Sequence, residues 1–87
     1  MESARCKAFM YAADTGSFTK AAERLNYTPS GVSQLVGALE NETGLTLLRR
    51  TRKGVTLTPD GEILLPAVRE FLEKENRIYE LAAEVKG

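Results

Sequence analysis

Four of the twelve cations in this 87-residue chain fall within five positions, "RRTRK" at 49–53. Ahead of them, Ser30, Ser33, Gln34 and Gly37 share one side of a helical pattern. They form a row of hydroxyl and amide groups with little bulk. Cations, hydroxyls and amides in this arrangement suit recognition of an anionic, hydrogen-bonding partner. Other chemistry lacks its parts. There is no histidine, which removes the commonest general base and the commonest metal ligand. Cys6 has no second cysteine, and the sequence contains neither a glycine-rich phosphate loop nor a G-x-S-x-G turn. The carboxylates of the C-terminal segment are spread as a solvent face spreads them. An enzyme is not expected, nor a metal or other cofactor.

The formal net charge of zero argues at first against a nucleic-acid partner. Residues 1–58, however, carry Arg5, Lys7, Lys20, Arg24, Arg49, Arg50, Arg52 and Lys53 against Glu2, Asp14, Glu23, Glu40 and Glu42, a net +3, and residues 59–87 carry the balancing −3. Charges farther apart than about 8–10 Å are screened at cellular salt, so local density outweighs the sum. Taken alone, the basic run fits a solvated loop as well as a binding site, and its neighbours must decide.

Those neighbours belong to one small domain with a modest core. A hydrophobic content of 43% marks the chain as globular. No apolar run approaches the roughly 20 residues of a membrane span, and no signal peptide opens the sequence. A single cysteine fits a reducing cytosol, and a cytoplasmic location is expected. Cys6 sits on a core stripe and reads as a small buried hydrophobe.

Cys6, Phe9, Met10 and Ala13 follow helical spacing up to Gly16, and Phe18, Ala21, Ala22 and Leu25 repeat it after Ser17, a good N-cap. Asn26 tolerates a left-handed turn; Thr28 and Pro29 then give a cap followed by a first helical residue. The third stripe is Val32, Leu35, Val36 and Leu39, ending at Gly44. Phe9, Phe18, Ala21, Ala22, Leu25, Val32, Leu35, Val36 and Leu39 are the expected core. Residues 45–58 change to strand character, with "TLLRR" and "VTLT" flanking "TRKG", a hairpin whose turn is assigned to Gly54. Thr58-Pro59 repeats the start signal, and a helix is expected to about Val85, kinked or strained at Pro66.

A short helix, a three-residue turn and a second helix with a polar, low-profile outer face form the helix-turn-helix plan. Counting Phe18 as the first position puts small Ala22 fifth, turn residue Asn26 ninth and apolar Val32 fifteenth, where the two helices must approach, turn and pack. In that plan the second helix enters the major groove. A basic hairpin directly behind it stands where a wing would meet the backbone or the minor groove.

In order and without gaps, "GSFTKAAERL", "PSGVSQLVGALE" and "GLTLLRRTRKGVTLTPDG" with the helix after them resemble the N-terminal DNA-binding domain of LysR-type transcriptional regulators. The resemblance covers residues 1 to about 85. It implies a mainly α fold: a winged helix-turn-helix of three helices and a small β-hairpin wing over 1–58, then a long linker helix over 59–87 that pairs in a dimer. It also implies a larger effector-sensing domain, of which these residues hold no counterpart, so no small-molecule site is expected. Carried over by position, Thr28, Pro29 and Ser30 stand at the groove mouth and Ser33 and Gln34 point into it. Arg50, Arg52 and Lys53 make the wing contacts, and Ser17, Thr19 and Lys20 contact the backbone. Many members have arginine where this chain has Gln34; glutamine favours adenine where arginine favours guanine.

Leu64, Phe71, Ile78 and Val85 recur every seven residues, beside the row Leu65, Leu72 and Tyr79. The first part of these rows can pack on the domain's own first helix, but the later part lies too far along to be covered, and an apolar patch of that size marks an interface. Leu64, Val68, Phe71, Leu72, Ile78 and Tyr79 are the expected dimer contacts. The expectation is therefore a dimer reading a pseudo-palindromic DNA site, away from membranes. The alternative is a protein-interaction module acting through its last helix, with weak or no DNA binding.

Overall fold

The computed structural model describes residues 1–87. Six elements follow one another: α1 (Ser3–Thr15), α2 (Phe18–Leu25), α3 (Pro29–Thr43), β1 (Leu48–Thr51), β2 (Gly54–Leu57) and α4 (Pro59–Lys86). The boundaries follow local chemistry. Ser17, Thr28 and Thr58 each accept a hydrogen bond from the backbone N–H three residues on, at 3.1, 3.0 and 3.0 Å, satisfying donors that a helix start leaves free. Pro29 and Pro59 follow two of these caps, and Asp60 and Glu62 favour the start of α4 through the helix dipole. Asn26 closes α2 at φ 57°, the one non-glycine residue in the left-handed region. α4 runs unbroken through Pro66; the proline withholds an amide from the Glu62 carbonyl, which lies on an exposed turn open to water.

The core joins α1, α2, α3, the hairpin and the first half of α4, with Phe9, Leu39, Leu47 and Val32 its largest fully buried side chains. Cys6 is among them, as expected, and burial raises its thiol pKa. Two expectations change. Phe18, Leu25 and Leu35 are only half-buried. On α1, Ala8 and Ala12 are fully buried while Met10 and Ala13 are not. The reason is that α1 touches α2, α3, α4 and β2 at once. A helix enclosed on several sides is not described by one stripe, and its small residues let neighbours come close.

β1 and β2 pair antiparallel from Leu48 opposite Leu57 to Thr51 opposite Gly54, so Arg52 and Lys53 alone make the turn. Gly54 thus begins the second strand instead of supplying the bend. Its φ is +131°, and a Cβ there would lie 2.1 Å from the Gly16 carbonyl oxygen. Val55 N–H donates to that same oxygen at 3.0 Å. The hairpin is therefore fastened to the turn between α1 and α2, an approach only glycine allows. The chain entering β1 is held just as firmly. The Glu40 carboxylate accepts from Leu47 N–H at 2.7 Å and Leu48 N–H at 3.3 Å. The Thr58 hydroxyl donates to the Thr46 carbonyl at 2.6 Å.

α4 leaves this body as a projecting arm, and the molecule measures 49 × 25 × 18 Å. Its first half belongs to the common core, which extends past residue 58 to Leu65 and Val68. Across α1, Arg69 grips Asp14 with two hydrogen bonds, of 2.5 and 3.0 Å. This contact holds the Asp14 carboxyl below the usual carboxylate range. A depressed folded value means that the pair's contribution is complete above the unfolded value, near 3.9, and is lost as pH falls through the folded one. Both side chains are partly exposed, so Asp14→Asn is expected to cost about 1 kcal/mol or less at neutral pH. Urea midpoints should show that gap narrowing progressively as pH falls below about 3.9; a gap independent of pH across the acid range would mean the contact is not ionic. No helix is long and apolar enough to cross a membrane.

Candidate nucleic-acid interface

The α2–α3 corner presents its polar groups outward because both helices bury their apolar sides against α1. Ala21, Ala22, Val32, Val36 and Leu39 face inward; Thr19, Lys20, Thr28, Pro29, Ser30 and Gln34 are exposed, and Ser17 and Ser33 half-exposed. The cap hydroxyls of Ser17 and Thr28 already accept backbone N–H groups, so each retains a hydrogen to donate to an acceptor such as a phosphate oxygen.

The hairpin stands beside this corner. The Thr51 hydroxyl donates to the Gly54 carbonyl at 3.1 Å and accepts from Lys53 N–H at 3.2 Å. The two-residue turn is thereby fixed with Arg52 and Lys53 exposed on it. Arg50, one pair down the ladder, reaches back across the corner. Its Nη2 donates to Ser33 Oγ at 2.5 Å, and its guanidinium lies 4.7 Å from the centre of the Phe18 ring. Phe18 was read from its spacing as core alone. Its second role, as a platform, has no local signal, because the partner is 32 residues away.

Six of the eleven expected contact residues line two hollows. One, of about 330 Å³, lies between the start of α2 and the hairpin and is lined by Ser17, Thr19, Arg50 and Arg52. The other, of about 400 Å³, lies between the start of α1 and α3 and is lined by Thr28 and Gln34, with Glu2, Arg5, Tyr27 and Leu35. Lys20, Pro29, Ser30 and Lys53 line neither and stand on the open surface, and the half-exposed Ser33 lines neither. Arg5 at the edge of the second hollow is engaged by Glu42 at 2.6 Å, a hydrogen bond that raises the arginine pKa and lowers that of the carboxyl. Its charge is matched within the chain.

The residues expected at a dimer contact divide. Val68 is 4% exposed, enclosed by the core on which the start of α4 packs. It has no surface to offer a partner, which corrects its assignment. Leu64 and Leu72 are half-buried against the same core. Phe71, Ile78 and Tyr79 are exposed at 38%, 65% and 69%, and Leu81 and Val85 join them.

Three helices, a two-stranded basic hairpin locked to the second helix of the corner, and a long terminal helix together define a winged helix-turn-helix protein. The chain belongs to the lysR family of bacterial regulatory helix-turn-helix proteins, whose pattern it matches over residues 4–62. Among its relatives are two transcriptional regulators of Bacillus subtilis. YvbU is 40% identical over 82 residues, 93% of this chain and 28% of that protein; AlsR is 43% identical over 82 residues, 94% of this chain and 27% of that protein. The chain thus spans little more than a quarter of the length of these relatives. It also resembles the CbnR DNA-binding domain solved in complex with DNA, at a TM-score of 0.91 and 30% identity over the whole of both chains. The BenM DNA-binding domain in complex with catB site 1 DNA gives 0.92 and 26% identity over 100% of this chain and 98% of that one.

Proposed function

We infer that this chain is the sequence-specific DNA-binding part of a transcriptional regulator and acts as a dimer in the cytoplasm. The observation that carries the reading is the junction of the two contact surfaces. The exposed polar side of α3 and the basic hairpin are tied into one face through Arg50 and Ser33. On that face α3 enters the major groove, with Ser33 and Gln34 toward base edges and Thr28, Pro29 and Ser30 at its mouth. The hairpin, with Arg52 and Lys53 at its turn, lies along the backbone or minor groove, and Ser17, Thr19 and Lys20 hold an adjacent phosphate run. The DNA complexes of the similar CbnR and BenM domains support this placement. Phosphate contacts supply most of the affinity, and base contacts the discrimination. The reading is of a binding protein, not an enzyme, and its relatives are regulators. The partner is a pseudo-palindromic duplex, matched by two copies joined through α4.

Titration of a duplex across salt tests this. Affinity should fall steeply between low and physiological salt. No binding at low salt, or no change with salt, would leave only the interaction-module reading, in which the exposed apolar arm of α4 is the working surface. Within the DNA reading, Gln34→Ala should relax preference at one base pair by about fivefold or more. Lys53→Ala should weaken all duplexes alike and reduce the salt slope by about one. Equal behaviour of the two variants would overturn the division of roles.

A further inference from the structure

Arg50 does not lie on the surface as a free cation. Its guanidinium is seated over the Phe18 ring at 4.7 Å, within the range of a cation–π contact. Phe18 is itself packed on the core, so the platform is rigid. One arm of the fork then reaches Ser33 Oγ at 2.5 Å. A guanidinium can only donate, so the serine oxygen is the acceptor in this contact and its own hydrogen is left pointing away from the arginine.

A free serine hydroxyl reads donors and acceptors with equal ease. Ser33 does not have that freedom. One lone pair is occupied, and a positive charge at hydrogen-bond distance strengthens the O–H as a donor while repelling an incoming amino group. We propose that Arg50, held on Phe18, is a specificity-determining positioning residue that fixes Ser33 as a donor-only reader of base edges. Resting on the DNA-binding reading given above, this narrows the partners of Ser33 to acceptor edges: guanine N7 or O6, adenine N7 and thymine O4. The amino group of cytosine is excluded. Lysine could not replace Arg50, because an ammonium has no plane to stack while it bonds in a second direction.

The test selects duplexes from a library with a randomised centre, using the 87-residue wild-type chain, and then titrates the winning duplex and its single base-pair variants at one salt concentration. Arg50→Lys keeps the charge. It removes the planar fork and should lose about fivefold of the preference at one base pair, whatever it does to binding of unselected duplex. Ser33→Ala should lose the same preference, and adding Arg50→Lys to it should change nothing further, since one acts through the other. Phe18→Leu, with folding checked by circular dichroism, should lose it too without altering any charge. Uniform weakening of all duplexes by Arg50→Lys, with preference intact, would make Arg50 a plain phosphate contact and overturn the proposal. So would losses from Arg50→Lys and Ser33→Ala that add independently. A wild type that binds no duplex at low salt would defeat the DNA-binding reading itself. An Arg50→Lys variant that discriminates as well as wild type would defeat this proposal alone.

Discussion

Ile78→Glu should lower affinity for a duplex with two half-sites by about a hundredfold or more, and leave affinity for a single half-site unchanged. The expectation follows from where Ile78 lies. It is 65% exposed, beyond the part of α4 that α1 covers, in a seven-residue row between Phe71 and Val85. Apolar side chains recurring at that interval on an uncovered helix form the seam of a helix pair. Tyr79 beside it is 69% exposed, so the patch is continuous. A glutamate in the seam places a charge where the partner helix would have to desolvate it. The isolated helix does not suffer, because glutamate is the better helix former of the two. The loss is therefore one of association. Two corners held together bind the second half-site at an effective concentration set by their tether, and separated corners forfeit that advantage. Sedimentation equilibrium should show the wild-type dimer and a monomeric variant, with helix content retained at matched concentration. A variant that stays dimeric would place the interface off this row. A monomer that bound the two-site duplex as tightly as wild type would end the claim that both corners engage together.

How much of this was legible in the sequence depended on how local each feature is. Ser17, Asn26, Thr28-Pro29 and Thr58-Pro59 announced three helix starts and a turn, because a cap is satisfied within three or four residues. The helix-turn-helix spacing was readable for the same reason, and the basic hairpin followed from composition. What escaped depends on contacts between distant segments. Ala8 and Ala12 carry almost no hydropathy signal, yet they are buried because α1 is packed on several sides. Val68 sits in a seven-residue pattern that fits an interface as well as a core; only the approach of α4 to α1 distinguishes them. Phe18 looked like core because an aromatic ring on a helical stripe normally is. That its exposed face carries Arg50 required knowing that β1 passes beside it. The exposed polar and basic positions of this face were thus legible, while the hydrogen bond that joins Arg50 to Ser33 across it was not.

Gly61→Ala offers the sharpest case of a role invisible in the sequence, and it should destabilise the fold by about 2–4 kcal/mol. Glycine in a helix ordinarily invites the opposite, since alanine gains about 1 kcal/mol. At Gly61 a Cβ would lie 2.1 Å from the Leu47 carbonyl oxygen and 3.0 Å from Leu57 Cδ2, against about 3.5–4.0 Å for an ordinary contact. The carbonyl cannot retreat. It accepts the Thr58 N–H at 3.1 Å, the amide of the same residue is held by Glu40 at 2.7 Å, and the Leu47 side chain is fully buried. Accommodation must push α4 away from the strand entrance at Leu47 and from Leu57 of β2, and open the core at Leu65 and Val68. For a domain of this size the loss corresponds to a melting temperature lower by roughly 10–25 °C. Gly37→Ala is the control of opposite sign. No atom lies within 4 Å of a Cβ at that position in α3, so alanine there should raise stability by about 0.5–1 kcal/mol. Thermal melts of the two variants beside wild type decide the matter. If both alanines stabilise, the strand entrance at Leu47 is free to move, and the glycine at 61 does not set how closely α4 docks.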